Sequence, residues 1–308
     1  MLPGGLILGY HRIADDAWDP LGLGTKLQHF EQHLAFLNEY LQPVPLRALV
    51  DVLRRGGTTT GMVAVTFDDG YRDLIDHALP ALEAADTAAT VFVTTGNAGQ
   101  PFWWDEVSNC LRRAGPDKPT IKLTLSDVET PHEYGRIDNE AAAAQAAKAI
   151  CRDFLNCSPT ERSAALEQLR AWADPVDSWN SMPQALSDPD IRRIHETAGI
   201  EIASHTVSHP MLEHLPLAQQ REEIERSRLT LEAVTGRGSV TGFSYPNGSF
   251  STKTLRLVQE LGFDYACTSR QGVVRNHTDP FRLPRVWAPD FGRNRFRRWL
   301  SSWCGKRF

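Results

Sequence analysis

The chain has 308 residues, enough for one large α/β domain or two smaller ones. Its 41% hydrophobic content suits a packed core, and a net charge of −5 gives no basis for nucleic acid or an acidic membrane surface as a partner. Five cysteines (Cys110, Cys151, Cys157, Cys267 and Cys304) are odd in number and form no C-x-x-C pair, which points to free thiols in a reducing compartment rather than a disulfide framework.

Met1-Leu2-Pro3-Gly4-Gly5 carries neither a basic stretch nor a long apolar one, so no signal peptide is expected. No run approaches the roughly 18 apolar residues of a membrane helix. The expected location is cytoplasmic, with peripheral membrane association if the substrate is lipid-linked. Leu6–Tyr10 reads as a first strand ending at His11. Gln28–Tyr40 and Leu46–Arg55 read as amphipathic helices. The apolar run Met62–Phe67 is a buried strand, followed by a helix over Tyr71–Ala84 and a strand over Ala89–Thr94. Alternating strands and helices predict a parallel α/β fold.

From about Gln100 to Ser187 the pattern changes. Phe102-Trp103-Trp104-Asp105 opens the stretch, Ile121–Leu125 is a candidate edge strand, Asn139–Ile150 an alanine-rich helix and Pro175–Pro183 a loop. Residues 100–187 therefore read as a mostly helical cap inserted between strands of a single α/β domain spanning 1–308. Trp103 and Trp104 either form a stacking wall for a ring of a bound ligand, with Asp105 bonding a polar group on it, or anchor the cap by their apolar area. The strand–helix alternation resumes with a helix at Asp190–Ala198 and a strand at Ile200–Ser204. Then come a helix at Leu217–Thr235, a strand end at Gly242–Pro246, and a helix at Lys253–Leu261. Strands at Tyr265–Thr268 and Leu283–Trp287 and a closing amphipathic helix at Arg293–Trp303 complete the chain.

Two strand ends carry chemistry. Thr66-Phe67-Asp68-Asp69-Gly70 ends in adjacent carboxylates, and Ser204-His205-Thr206-Val207-Ser208-His209-Pro210 carries two histidines four apart. One carboxylate and two imidazoles can hold a divalent cation on one face, and the second carboxylate can act as a base on water. The competing reading is a solvated turn in which Asp69 caps the helix that follows.

T-F-D-D-G followed by S-H-T-x-x-H-P resembles the polysaccharide deacetylase family, also called carbohydrate esterase family 4 or the NodB homology domain. The resemblance covers roughly residues 5–100 and 185–290. It implies a deformed (β/α) barrel of about seven strands, with Asp68 as general base and Asp69, His205 and His209 as metal ligands. It also implies an oxyanion-hole N–H at Asn247. The family's third motif is R-x-P-x-G, but here Ser244-Tyr245-Pro246-Asn247-Gly248 lacks the arginine; Arg285, in Leu283-Pro284-Arg285-Val286, is the substitute. The late L-x-H motif, which supplies the general acid, is absent too. Tyr10-His11 resembles the permuted branch found among poly-N-acetylglucosamine deacetylases, which makes His11 the expected acid and leaves His277 as the alternative. The resemblance makes the ring facing Trp103 and Trp104 a sugar and the group bonded by Asp105 a hydroxyl; Tyr245 and Trp287 join the expected substrate contacts, Trp287 as a wall of an acetyl pocket.

The implied reaction is metal-dependent hydrolysis of an N-acetyl group on an amino sugar in a glycan, glycan precursor or glycosylated metabolite, releasing acetate. Zinc is the first choice of metal, with cobalt, nickel, manganese and iron open. O-acetyl ester or N-formyl hydrolysis stays open, as does a non-catalytic metal-containing glycan-binding protein. The sugar, its carrier and the oligomeric state are not legible.

Overall fold

The computed structural model describes residues 4–112, 118–125, 130–173 and 182–304. Seven parallel strands run in the chain order β1 (Leu6–Tyr10), β2 (Met62–Phe67), β3 (Ala89–Val93), β4 (Ile200–Ser204), β5 (Gly242–Ser244), β6 (Tyr265–Gln271) and β7 (Leu283–Trp287). Neighbours pair as β1-β7-β6-β5-β4-β3-β2, and β2 pairs back onto β1 with Leu6 opposite Val63 and Tyr10 opposite Phe67. The sheet is therefore a closed seven-stranded barrel, with Gln42–Pro43 adding a short pairing on the edge of β2.

Alternation along the strands sorts residues between two apolar sets. Leu6, Leu8, Tyr10, Val63, Val65, Phe67, Val91 and Phe243 pack outward against the helices. Ile7, Ala64, Phe92, Ala203, Tyr265, Cys267 and Leu283 form a second set with Leu46, Leu49, Val50 and Leu53. Continuing that second register toward the strand C-termini gives Gly9 and His11, Thr66 and Asp68, His205, Ser244, then Arg285 and Trp287. The apolar floor thus gives way to a polar mouth at the end where barrel enzymes place their chemistry.

The chain divides into two compact units, 1–15 with 24–99 and 185–308, and 16–23 with 100–184. In the first unit, α1 (Leu27–Tyr40), α2 (Leu46–Arg54), α3 (Leu79–Ala84), α7 (Asp188–His195), α8 (Leu217–Thr235), α9 (Thr252–Glu260) and α10 (Arg293–Cys304) accompany the strands. The helix expected at Tyr71–Ala84 begins instead with a π turn, Leu74–Ala78. Pro80, with no N–H to donate, stands at the start of α3 where the regular ladder takes over. Phe296 and Leu300 of α10 are fully buried in the outer core, so that helix closes the barrel wall.

The second unit contains α4 (Trp103–Arg112), α5 (Glu140–Phe154), α6 (Pro159–Ala173) and the antiparallel pair Lys122–Leu123 with His132–Glu133. Most of the expected Pro175–Pro183 loop lies outside the described residues. Trp104 is only 6% exposed and lies flat on Phe102, with ring centroids 4.6 Å apart. Arg162 covers the Trp103 ring at 5.0 Å, and Asp105 is buried. Among the described residues no helix is long and apolar enough to cross a membrane.

Candidate active site

Asp68 follows β2 directly, and its N–H donates to the Tyr10 carbonyl at 2.9 Å. Asp69 and Gly70 then both turn left-handed, with φ of 70° and 82°. The turn is tied on both sides, by Thr94 N–H to the Asp69 carbonyl at 3.0 Å and Leu186 N–H to the Gly70 carbonyl at 2.8 Å. At Gly70 a Cβ would meet Val93 Cγ1 at 3.1 Å, so the sharp turn and the tight packing both favour glycine. Asp68 and Asp69 are 4% and 3% exposed. Such burial is incompatible with a solvated turn.

The Asp68 carboxylate sits in a fork of donors. Arg285 Nη1 reaches Oδ1 at 2.5 Å and Nη2 reaches Oδ2 at 2.7 Å. Arg285 is fully buried and is itself held by Thr268 O (3.2 Å), Thr66 Oγ1 (3.4 Å) and Ser244 Oγ (2.9 Å). Position 244, where the family motif has arginine, thus carries a small hydroxyl that touches both partners: Ser244 Oγ also donates to Asp68 Oδ2 at 3.4 Å. Burial acts to raise the Asp68 pKa, but the Arg285 charge, then His205, then the Arg285 hydrogen bonds hold the carboxyl below its usual range. Asp68 therefore stays ionised at neutral pH.

Asp69 Oδ1 lies 3.6 Å from His205 Nε2 and 3.5 Å from His209 Nε2. One ligand atom from each residue falls within 4.8 Å of the others. His205 Nδ1 donates to the Ser244 carbonyl at 2.8 Å, which leaves its Nε2 lone pair facing Asp69. Burial lowers the His205 pKa, opposed by Asp68, so the ring is neutral. An anionic oxygen, a neutral imidazole oriented by a carbonyl, and a second imidazole make a donor set that fits a divalent cation. His209 reaches this place from a loop, not a helix: Thr206 and His209 both have left-handed φ, 67° and 54°.

The remaining expected residues fall into three groups. At the mouth, His11 stacks on Trp287 with centroids 4.6 Å apart, and both are partly exposed. His11 is also close enough to Asp68 to help hold that carboxyl ionised. Gly9 makes room for this pair, since a Cβ there would stand 2.7 Å from the Trp287 ring. Asn247 is exposed in the turn after β5, with φ 52°. Away from the mouth, Tyr245 takes the opposite side of the strand from Ser244. It is fully buried, stacks on Phe250, and donates its hydroxyl to the Phe281 carbonyl at 3.2 Å. The expectation that Tyr245 contacts substrate is therefore corrected to a core role. His277 is exposed in a turn whose ends are bonded at Val274 to Gly5 and at Pro280 to Ala266, both at the N-terminal ends of strands, opposite the acids. In the third group, Trp103, Trp104 and Asp105 belong to the second unit and are used in its packing.

Sequence reasoning missed Glu223 of α8, which binds the loop between the histidines. It is one of several acids in Arg221-Glu222-Glu223-Ile224-Glu225, and nothing local marks it. Ser244 and Thr66, both on Arg285, were within quoted motifs but carried no expected role.

A sequence model of the polysaccharide deacetylase family matches residues 55–117 and 169–266, more than half of the chain. A chitooligosaccharide deacetylase of Azorhizobium caulinodans is 34% identical over 74 residues, which cover 24% of this chain and 35% of that protein. The matches to curated relatives thus span about a third of their length. Among solved structures, the deacetylase PplD of Streptococcus pyogenes, in complex with acetate, superposes with a TM-score of 0.61 at 16% identity, covering 99% of each chain. IcaB of Ammonifex degensii superposes with a TM-score of 0.64 at 17% identity, covering 99% of this chain and 98% of that one. These two likenesses concern the fold. The sequence match contains both the acid pair after β2 and the histidine loop after β4, and it shows that the chain belongs to the polysaccharide deacetylase family.

Proposed function

We propose that the barrel unit is a metal-dependent carbohydrate N-deacetylase that hydrolyses the acetamido group of an amino sugar and releases acetate. The observation that carries this reading is one mouth holding both an ionised carboxylate locked to a buried arginine and a separate Asp-His-His donor set. A binding module has no use for the first of these.

Asp69, His205 and His209 would hold the cation, zinc by first preference for this donor set. Such a cation supplies Lewis-acid polarisation of the acyl carbonyl and lowers the pKa of water. Asp68 takes the proton of the attacking water. Arg285 fixes the carboxylate by two hydrogen bonds, so the base cannot rotate away. The Asn247 N–H, presented by a left-handed turn, donates to the oxygen that gains charge. His11 protonates the departing amine, and its stacking on Trp287 orients the ring. Trp287 forms a wall beside the acetyl group. No sugar contact is proposed for Trp103, Trp104 or Asp105, because packing within the second unit accounts for them.

The test is a screen of N-acetylated sugars, chitooligosaccharides among them, with the chain stripped of metal and then reloaded. Equal release of acetate and free amine, dependent on added metal, is the expected result. Acetate without free amine from O-acetylated sugars would make the chain an esterase. Tight glycan binding without either product would make it a binding protein.

A further inference from the structure

The corner between the two histidines is held by a residue outside every motif. Glu223 accepts the N–H groups of Val207 and Ser208 on Oε2, at 2.9 and 2.8 Å, and the Ser208 hydroxyl on Oε1, at 2.8 Å. On the other side of the loop, Thr95 N–H and Gly96 N–H donate to the carbonyls of Thr206 and Val207 at 3.1 and 2.7 Å. A Cβ at Gly96 would stand 2.5 Å from the Val207 oxygen, so glycine is required for that approach. Within the loop, His209 N–H donates to Thr206 Oγ1 at 3.1 Å.

These contacts oppose a local cost. Left-handed backbone is unfavourable for a β-branched residue such as Thr206, and His209 adopts it as well. A loop with two such residues relaxes unless something outside it fixes the conformation. The clamp from Thr95 and Gly96 holds carbonyls. Among the described residues, Glu223 alone is seen to fix the N–H groups of the two residues immediately before His209.

We infer that Glu223 is a positioning residue for the cation site. It holds the 205–209 loop in the one conformation that brings His209 Nε2 beside Asp69, so the three-donor set exists before a cation arrives. This rests on the proposal that Asp69, His205 and His209 bind a divalent cation. The competing role is a helix–loop staple that serves stability alone.

Zinc affinity separates the two. The metal-stripped full chain is titrated with zinc against a fluorescent chelator, and its melting temperature is measured in parallel with the metal absent. Glu223→Ala should weaken zinc binding by about 10–100-fold, the usual effect of losing a partner one shell out from a ligand. Its melting temperature without metal should stay close to the parent's. Glu223→Gln should restore affinity, because the amide oxygen can accept both N–H groups and the amide NH2 can donate to the Ser208 hydroxyl. If Glu223→Ala does not fold, Glu223→Asp carries the test, since the shortened side chain cannot reach all three donors and should also lose affinity. Parent-like zinc affinity in Glu223→Ala, or in Glu223→Asp where that stands in, overturns the inference, as does failure of Glu223→Gln to restore it. A parent chain that binds no zinc overturns the underlying site, which is a separate and distinguishable failure.

Discussion

Replacing Arg285 by methionine should shift the acid limb of kcat/KM to higher pH and destabilise the barrel unit. In the parent, the Asp68 carboxyl is nearly inaccessible yet held ionised, because two guanidinium bonds and the Arg285 charge outweigh the burial. Methionine keeps the volume and the burial but removes the charge. His205, His11 and the Ser244 hydroxyl then still favour the carboxylate. The pKa should climb from below the carboxylate range to above the ordinary aspartate value of about 3.9. Breaking a buried pair on one side costs about 3–5 kcal/mol, or about 6–20 °C in melting temperature for a domain of this class. The pair's contribution follows the sign of a depressed carboxylate. It is fully present above the unfolded pKa and fades as pH falls toward the lowered folded value, so the stability gap should be widest at neutral pH and narrow in acid. Arg285→Lys should fall between parent and Arg285→Met, since an ammonium keeps the charge but not the two-pronged geometry. The assay is kcat/KM against pH on an N-acetylated oligosaccharide at constant metal loading, with melting curves at neutral and acid pH. An acid limb and a melting temperature both unchanged in Arg285→Met would show that Asp68 is held by something else.

Asp68→Asn should keep metal and fold while losing about 10²–10⁴-fold in kcat, the usual worth of a general base; activity within a factor of about two of the parent would assign the base elsewhere. Alanine at Asp69, His205 and His209 together should abolish stoichiometric metal, measured by elemental analysis, and full occupancy in that variant would remove the site. His11→Ala should abolish amide hydrolysis but largely spare an activated acetate ester, whose leaving group needs no proton; equal losses on both would make His11 structural. Trp104→Ala should cost the second unit about 3–5 kcal/mol, as for other buried aromatics, seen as an early transition in calorimetry, and an unchanged melting profile would contradict its core role.

The long strands were readable because they are buried on both faces and appear as unbroken apolar runs, as in Leu6–Tyr10, Met62–Phe67 and Ala89–Val93, while their closure into a barrel was implied by the family resemblance alone. Helices with a clear apolar stripe, such as Leu27–Tyr40, were readable because only one face is buried and the apolar residues recur at the helical period. Two-residue pairings such as Arg12–Ile13 with Gly24–Thr25 have no periodicity to detect. The helix Trp103–Arg112 was hidden because its first turn is made of bulky aromatics and acids that read equally well as a binding motif. Inclusion of residues 16–23 in the second unit is a tertiary fact with no local trace. In the site, the residue types were legible but the facing of side chains was not: strand alternation turns Ser244 inward and Tyr245 outward, and only the register decides which. The arginine problem has the same form. A serine in the family's arginine position leaves space at the base, and Arg285 reaches that space from a strand two places around the barrel.

Backbone conformation carries the part of the site that no motif encodes. Among the described residues, four of the five non-glycine positions with left-handed φ are Asp69, Thr206, His209 and Asn247, at 70°, 67°, 54° and 52°. All four stand at the mouth, so the unfavourable conformations fall on or beside the groups proposed for chemistry. Aspartate and asparagine tolerate this region comparatively well, whereas threonine does not, and each such residue costs of order 1–3 kcal/mol. A local reading of Ser204–Pro210 therefore favours a different loop from the one observed. The observed loop persists because its backbone is bonded from both sides, by Thr95 and Gly96 on one and Glu223 on the other. The four-residue histidine spacing is realised by a strained corner, and its ligand geometry is a property of its neighbours.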